Sequence, residues 1–94
     1  MADYSTKEYI IDLYGLRDRA DLHERIFHAL PLPEWYGYNL DALYDVLTEP
    51  TEPMRIVFLN YKDAEKVLGA YANAFRHMIQ DVMEENEEVE CVFA

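Results

Sequence analysis

Apolar residues recur along this chain with two periods, and the switches between those periods mark its elements. Tyr9–Tyr14 (YIIDLY) is rich in aromatic and β-branched residues and predicts a first strand, punctuated by Gly15. After Asp18, a suitable N-cap, Leu22, Ile26, Ala29 and Leu30 fall at i, i+4, i+7 and i+8. That spacing predicts a helix to about Leu30, where Pro31 and Pro33 stop it. Asn39 is the N-cap of a second predicted helix, Leu40 to about Thr48, with Leu40, Leu43 and Leu47 on one face and Pro50 and Pro53 closing the segment. Met54–Asn60 (MRIVFLN) predicts a second strand, and its nearly continuous apolar run Ile56–Leu59 predicts burial on both faces. A helical region follows from about Asp63 to Asn86 with a break at Gly69; Tyr71, Phe75, Met78, Ile79, Val82 and Met83 share its apolar face. Val89–Phe93 (VECVF) predicts a third strand. No repeat or low-complexity segment interrupts the order β-α-α-β-α(α)-β. Strands separated by helices predict parallel pairing with right-handed crossovers, hence a small α/β domain expected to span residues 1–94.

Composition narrows what such a domain does. The 94 residues are 51% hydrophobic and 14% aromatic, too apolar for a disordered chain. Against 8 Lys+Arg stand 19 Asp+Glu, a formal charge of −11. That charge argues against nucleic acid or an anionic membrane as partner, and leaves a basic macromolecule or plain solubility as its meaning. Cys91 is the single cysteine, so no intramolecular disulfide forms, which fits a reducing compartment. The N-terminal stretch MADYSTKEYIIDLYG has no run suited to a signal peptide, and nothing approaches the roughly 18 apolar residues of a membrane span, so a cytoplasmic location is expected.

The charge is uneven. From Ile26 to Met54 there is no Lys or Arg, while Glu34, Asp41, Asp45, Glu49 and Glu52 are interleaved with Trp35, Tyr36, Tyr38 and Tyr44. The tail Asp81–Glu90 is acidic without aromatics and reads as a solvated helix end leading into a strand. Asp41 and Asp45 lie four apart on one face of the second helix, where like charges oppose each other. Asp41 sits in the first turn, favoured by the helix dipole; Asp45 sits in the last turn, disfavoured, with no Lys or Arg within four residues. Asp45 is therefore either an ordinary exposed acid on an acidic helix or a group that meets an external cation.

Other candidates carry less. His23 and His28 are five apart, on different helix faces, which does not suit a zinc helix. His77 is a surface or an interface residue, and Cys91 a small buried hydrophobe. There is no Gly-rich phosphate loop, no HExxH and no nucleophile elbow. The Asp41–Asp45 pair sits on a short exposed helix without the burial that acid–base work by paired carboxylates needs, so no enzyme activity and no cofactor or metal are expected.

Asp21-Leu22-His23, and then the run of residues 32–48 (LPEWYGYNLDALYDVLT), closely resemble the barstar family, whose pattern LPxxYGxNLDALxDxLT is long and specific. The resemblance implies a two-layer domain, a three-stranded parallel sheet packed with three to four helices. It also implies a protein inhibitor, an immunity or antitoxin protein that plugs the active site of a small basic extracellular-type ribonuclease or related toxin. By that likeness Asp45 occupies the place of a substrate phosphate, Asp41 adds a second anionic contact, and Trp35 stacks beside the enzyme's catalytic His. Asn39, Leu40, Ala42, Tyr44, Thr48 and Glu49 lie around them, with Tyr38 adding aromatic packing. Three departures stand out: Tyr44 replaces the family's usual Trp, Glu49 and Pro50 replace Gly and Trp, and His77 replaces a contacting Glu. They motivate a second reading, a module of the same fold that binds another basic partner without inhibiting a nuclease. Pro53 resembles a family proline preceded by a cis bond.

Overall fold

The computed structural model describes residues 6–94; residues 1–5, the start of the stretch read for a leader, lie outside the described residues. Three parallel strands, β1 (Lys7–Asp12), β2 (Met54–Leu59) and β3 (Val89–Phe93), lie in the order β1-β2-β3. The chain crosses the sheet in one direction, and right-handed crossovers then carry both helical connections to the same face. The first connection holds α1 (Arg19–Ala29) and α2 (Leu40–Leu47); the second holds α3 (Tyr61–Leu68) and α4 (Ala70–Glu85). The result is a two-layer α/β fold with a three-stranded parallel sheet and four helices.

One-sided coverage corrects the expectation for β2. Ile56 and Phe58 are buried, but Val57 and Leu59 are only half-buried, because their side chains point to the face that no helix covers. On that face, Glu8 and Glu90 flank Arg55 in the strand register, and its guanidinium pairs with both, at 3.1 and 3.3 Å. This ladder also explains why β1 starts two residues before the predicted Tyr9. Lys7 and Glu8 have low strand propensity, but β2 supplies partners for them, Met54 and Arg55. The strand ends at Asp12 rather than Tyr14 because the Asp12 carboxylate accepts from the Tyr14 N–H at 2.9 Å and turns the chain into Gly15. The Glu52–Pro53 bond is trans, against the cis bond that the resemblance implied.

The helices follow their sequence signals, except that α3 begins at Tyr61, two residues before the predicted Asp63. Asp18 caps α1, accepting from the Asp21 N–H at 2.8 Å. The helical layer buries Leu22, Ile26, Leu43, Leu47, Phe75, Ile79 and Val82 against Ile11, Ile56 and Phe58. Phe58 meets Phe75 edge-on and Phe93 in a stack, both at 5.3 Å between ring centres. Gly69 ends α3 and starts α4 at φ +57°, ψ −123°, a conformation that a side chain strains even though a Cβ would meet nothing within 4 Å. Gly69→Ala is therefore expected to destabilise the fold by about 1–3 kcal/mol through the backbone alone. A urea denaturation midpoint checks this; an unchanged midpoint would refute it.

Candidate protein-binding face

The second helix is held before anything binds it. Asn39 Oδ1 accepts from the Ala42 N–H at 2.8 Å, while its Nδ2 donates to the Gly37 carbonyl at 3.1 Å. At the other end the Thr48 hydroxyl donates to the Tyr44 and Asp45 carbonyls, both at 3.0 Å. Asn86, at the end of α4, donates to the Leu47 and Pro50 carbonyls. Leu43, Val46 and Leu47 anchor α2 in the core, and Leu40, Ala42 and Tyr44 are half-buried at its flanks. Asp41 and Asp45 project from the exposed side, and neither forms an ion pair among the described residues. Asn39→Ala should destabilise the protein by about 1 kcal/mol, read as a lower thermal midpoint; no shift would show that the cap is dispensable.

The approach to α2 is an aromatic loop. Trp35 is 76% exposed, the most exposed of the large apolar side chains among the described residues. Its neighbour Tyr36 points inward, where its hydroxyl lies 2.6 Å from His23 Nδ1. His23 Nε2 lies 2.8 Å from the Tyr71 hydroxyl, so one fully buried imidazole joins α1, the loop and α4. Burial, with a smaller contribution from Arg19's charge, pushes the His23 pKa down to about 4, so the ring is neutral at pH 7. A neutral imidazole has one donor and one acceptor nitrogen, which matches two hydroxyls that can each play either part.

Tyr38 takes a left-handed backbone, φ +54°, which is uncommon for a bulky residue. Its hydroxyl donates to Glu24 Oε1 at 2.8 Å, and Glu24 Oε2 lies 2.7 Å from His28 Nε2. The Tyr38 hydrogen bond, and then that of His28, hold the Glu24 carboxyl below its ordinary pKa. Glu24 thus ties the loop to α1, a role that sequence spacing did not single out.

Between α2 and α4 runs a groove whose apolar lining is Leu40, Tyr44, Ala74 and Met78. It brings Asp41 together with His77, both of them contact candidates from the sequence. It also adds Asp81, Glu84 and Glu85, which the sequence pattern assigned to a solvated tail. Desolvation, followed by the charges of Glu85, Asp81 and Asp45, raises the Tyr44 hydroxyl's pKa. The missed signal was present: residues 74, 77, 78, 81, 84 and 85 recur at helical spacing. Among the described residues no group of three or more potential ligands is arranged to hold a metal ion.

A constrained acidic helix thus follows an exposed Trp and has a second acidic helix beside it. Residues 6–94 match the family model described as "Barstar (barnase inhibitor)". The chain belongs to the barstar family. It is also 35% identical over 80 residues to "Putative ribonuclease inhibitor YrdF" of Bacillus subtilis (strain 168), a match covering 84% of this chain and 88% of that protein. In this barstar-family chain, the stretch that carries the family pattern forms the Trp35–Asn39 loop and α2. Glu49 is exposed beyond the C-terminal end of α2, and Thr48 closes that helix. Cys91 is buried on β3 with its thiol pushed up to about 12 by burial, so it is a core residue and not a nucleophile.

Proposed function

We propose that this protein inhibits a small basic ribonuclease by inserting α2 and the Trp35–Asn39 loop into its active-site cleft. The observation that carries the reading is the pair Asp41 and Asp45, exposed and without ion pairs among the described residues, on a helix already capped at both ends. A carboxylate held in a fixed place without a cation becomes a strong acceptor once Arg or Lys closes over it. Asp45 thereby stands in for a substrate phosphate, Asp41 adds a second charge, and Trp35, Tyr38 and Tyr44 pack around the contact. The relative named as a ribonuclease inhibitor supports the same role. An inhibitor of this kind protects the cell that makes the ribonuclease, so an immunity function in the cytoplasm follows.

The net charge of −11 has a separate part in this scheme. Its field attracts a basic partner before contact and speeds association, an effect that salt weakens. The test is titration against RNA cleavage by barnase and by other small basic ribonucleases. Stoichiometric inhibition of at least one, slower to form at high salt, is the expected result. If none is inhibited, the reading is wrong.

A second reading has its own observation. His77 lines the α2–α4 groove where the family holds a Glu, which removes one acidic contact from that side. The fold would then serve a basic partner that is not a nuclease. Binding to a basic protein by the Asp45 face, with no ribonuclease inhibited, would favour this version.

A further inference from the structure

Beyond the C-terminal end of α2 lies a second concavity, separate from the α2–α4 groove, with a volume of about 430 Å³. That is within the ~300–1,000 Å³ typical of sites that enclose a ligand group. Pro31, Pro33, Pro50 and Pro53, all four prolines of the chain, line it. Proline fixes its own φ, so these walls need little ordering when a group enters. Leu30, Leu47 and Met54 contribute apolar surface between them.

The electrostatics of the concavity favour one sign. Leu30 caps the C-terminus of α1 and Leu47 is the last residue of α2, but their carbonyls already accept from the Leu32 N–H and the Asn86 side chain, so the sign is set by side chains. Glu49 and Glu52 add two exposed carboxylates at its edge. Among the described residues, Lys7 is the one basic residue in the lining. None of these three side chains forms an ion pair among the described residues. Two carboxylates outweigh one ammonium, so the site disfavours an anion. Its apolar walls also disfavour a compact, fully hydrated cation. A side chain with an apolar stem and a planar, weakly hydrated cationic head suits both features.

We infer that this proline-walled groove is a second subsite of the partner-binding face, and that it receives an arginine side chain of the basic partner. The methylenes lie against the prolines and leucines, and the guanidinium donates to Glu49 and Glu52. Glu49 directly follows Thr48, so the subsite continues from the end of the helix that carries Asp45. This inference rests on the inhibitor reading and adds to it a residue type that the partner must present.

Two measurements on the full chain test it. In a two-dimensional NMR titration with N-acetyl-arginine amide, saturable shifts are expected at the amides of Leu32 and Thr51. They should be absent with N-acetyl-norleucine amide and absent in the double variant Glu49→Gln/Glu52→Gln. In the ribonuclease titration, the same double variant should bind about tenfold more weakly, with its urea midpoint unchanged. If it binds as tightly as the wild type while Asp45→Ala does not, the subsite is overturned and the inhibitor reading stands. If neither variant changes binding, the inhibitor face itself is wrong and the subsite falls with it. Equal shifts with the neutral norleucine probe would overturn the cationic assignment.

Discussion

Asp45→Ala is expected to weaken binding to the ribonuclease by about 2–5 kcal/mol, roughly thirtyfold to several thousandfold in Kd. This size is general to charge pairs desolvated across interfaces, and the complex of barstar with barnase is itself among the measured examples on which it rests. The loss should fall mainly in the dissociation rate, because truncation leaves the partner's cations buried and unpaired. The free protein should respond in the opposite direction. Asp45 lies in the last turn of α2, where the helix dipole opposes a carboxylate, and four residues from Asp41. Removing it is therefore expected to leave stability unchanged or to raise it by a few tenths of a kcal/mol. Weaker binding together with an equal or higher thermal midpoint separates a contact residue from a structural one. Asp45→Asn refines the test: it keeps the shape and removes the charge, so it should lose most of the same affinity. Exchanging Glu87 and Glu88 for Gln, on the exposed tail, should only slow association at low salt.

The second large effect is on stability and depends on pH. His23 is buried with its pKa lowered to about 4, against an ordinary value of 6.5. Between those values the unfolded chain binds a proton that the folded chain refuses, so stability is full above pH 6.5 and falls as the pH drops toward 4. The difference of 2.5 corresponds to a loss of about 3 kcal/mol across that window. Urea denaturation at pH 7, 5.5 and 4 measures it. Carboxylates titrate near the acid end as well, so the comparison is with His23→Gln, which keeps a donor and an acceptor but does not ionise. The variant should be less stable than the wild type at pH 7 and lose less stability between pH 6.5 and 5. Parallel pH profiles for the two proteins would show that His23 is not the titrating group.

Some of this molecule was legible because its signals are local. The caps Asp18 and Asn39, the stop at Pro31 and the break at Gly69 lie where the sequence placed them, since each acts on a backbone within a few residues of itself. The exposed side of α2 was legible for the same reason: Asp41 and Asp45 share a helical face opposite three leucines. Strand ends were less so. β1 begins at Lys7 because β2 offers it a partner 47 residues away, and no property of Lys7 or Glu8 announces that. The burial of both faces of β2 also failed, because an apolar run states what a strand tolerates and not which of its faces is covered.

By itself, then, the sequence determined the order of the elements, the caps, the acidic and aromatic character of the stretch before and within α2, and the family to which the chain belongs. The tertiary structure decided which surfaces share a neighbourhood. It placed Asp81, Glu84 and Glu85 beside Asp41 and Tyr44, tied Tyr38 to Glu24, enclosed His23 between Tyr36 and Tyr71, and gathered four prolines around one concavity. The physical reason is that periodicity records how each element must orient toward a core. The meeting of separate elements is fixed only when strand order and crossover hand bring all the helices to one face of the sheet.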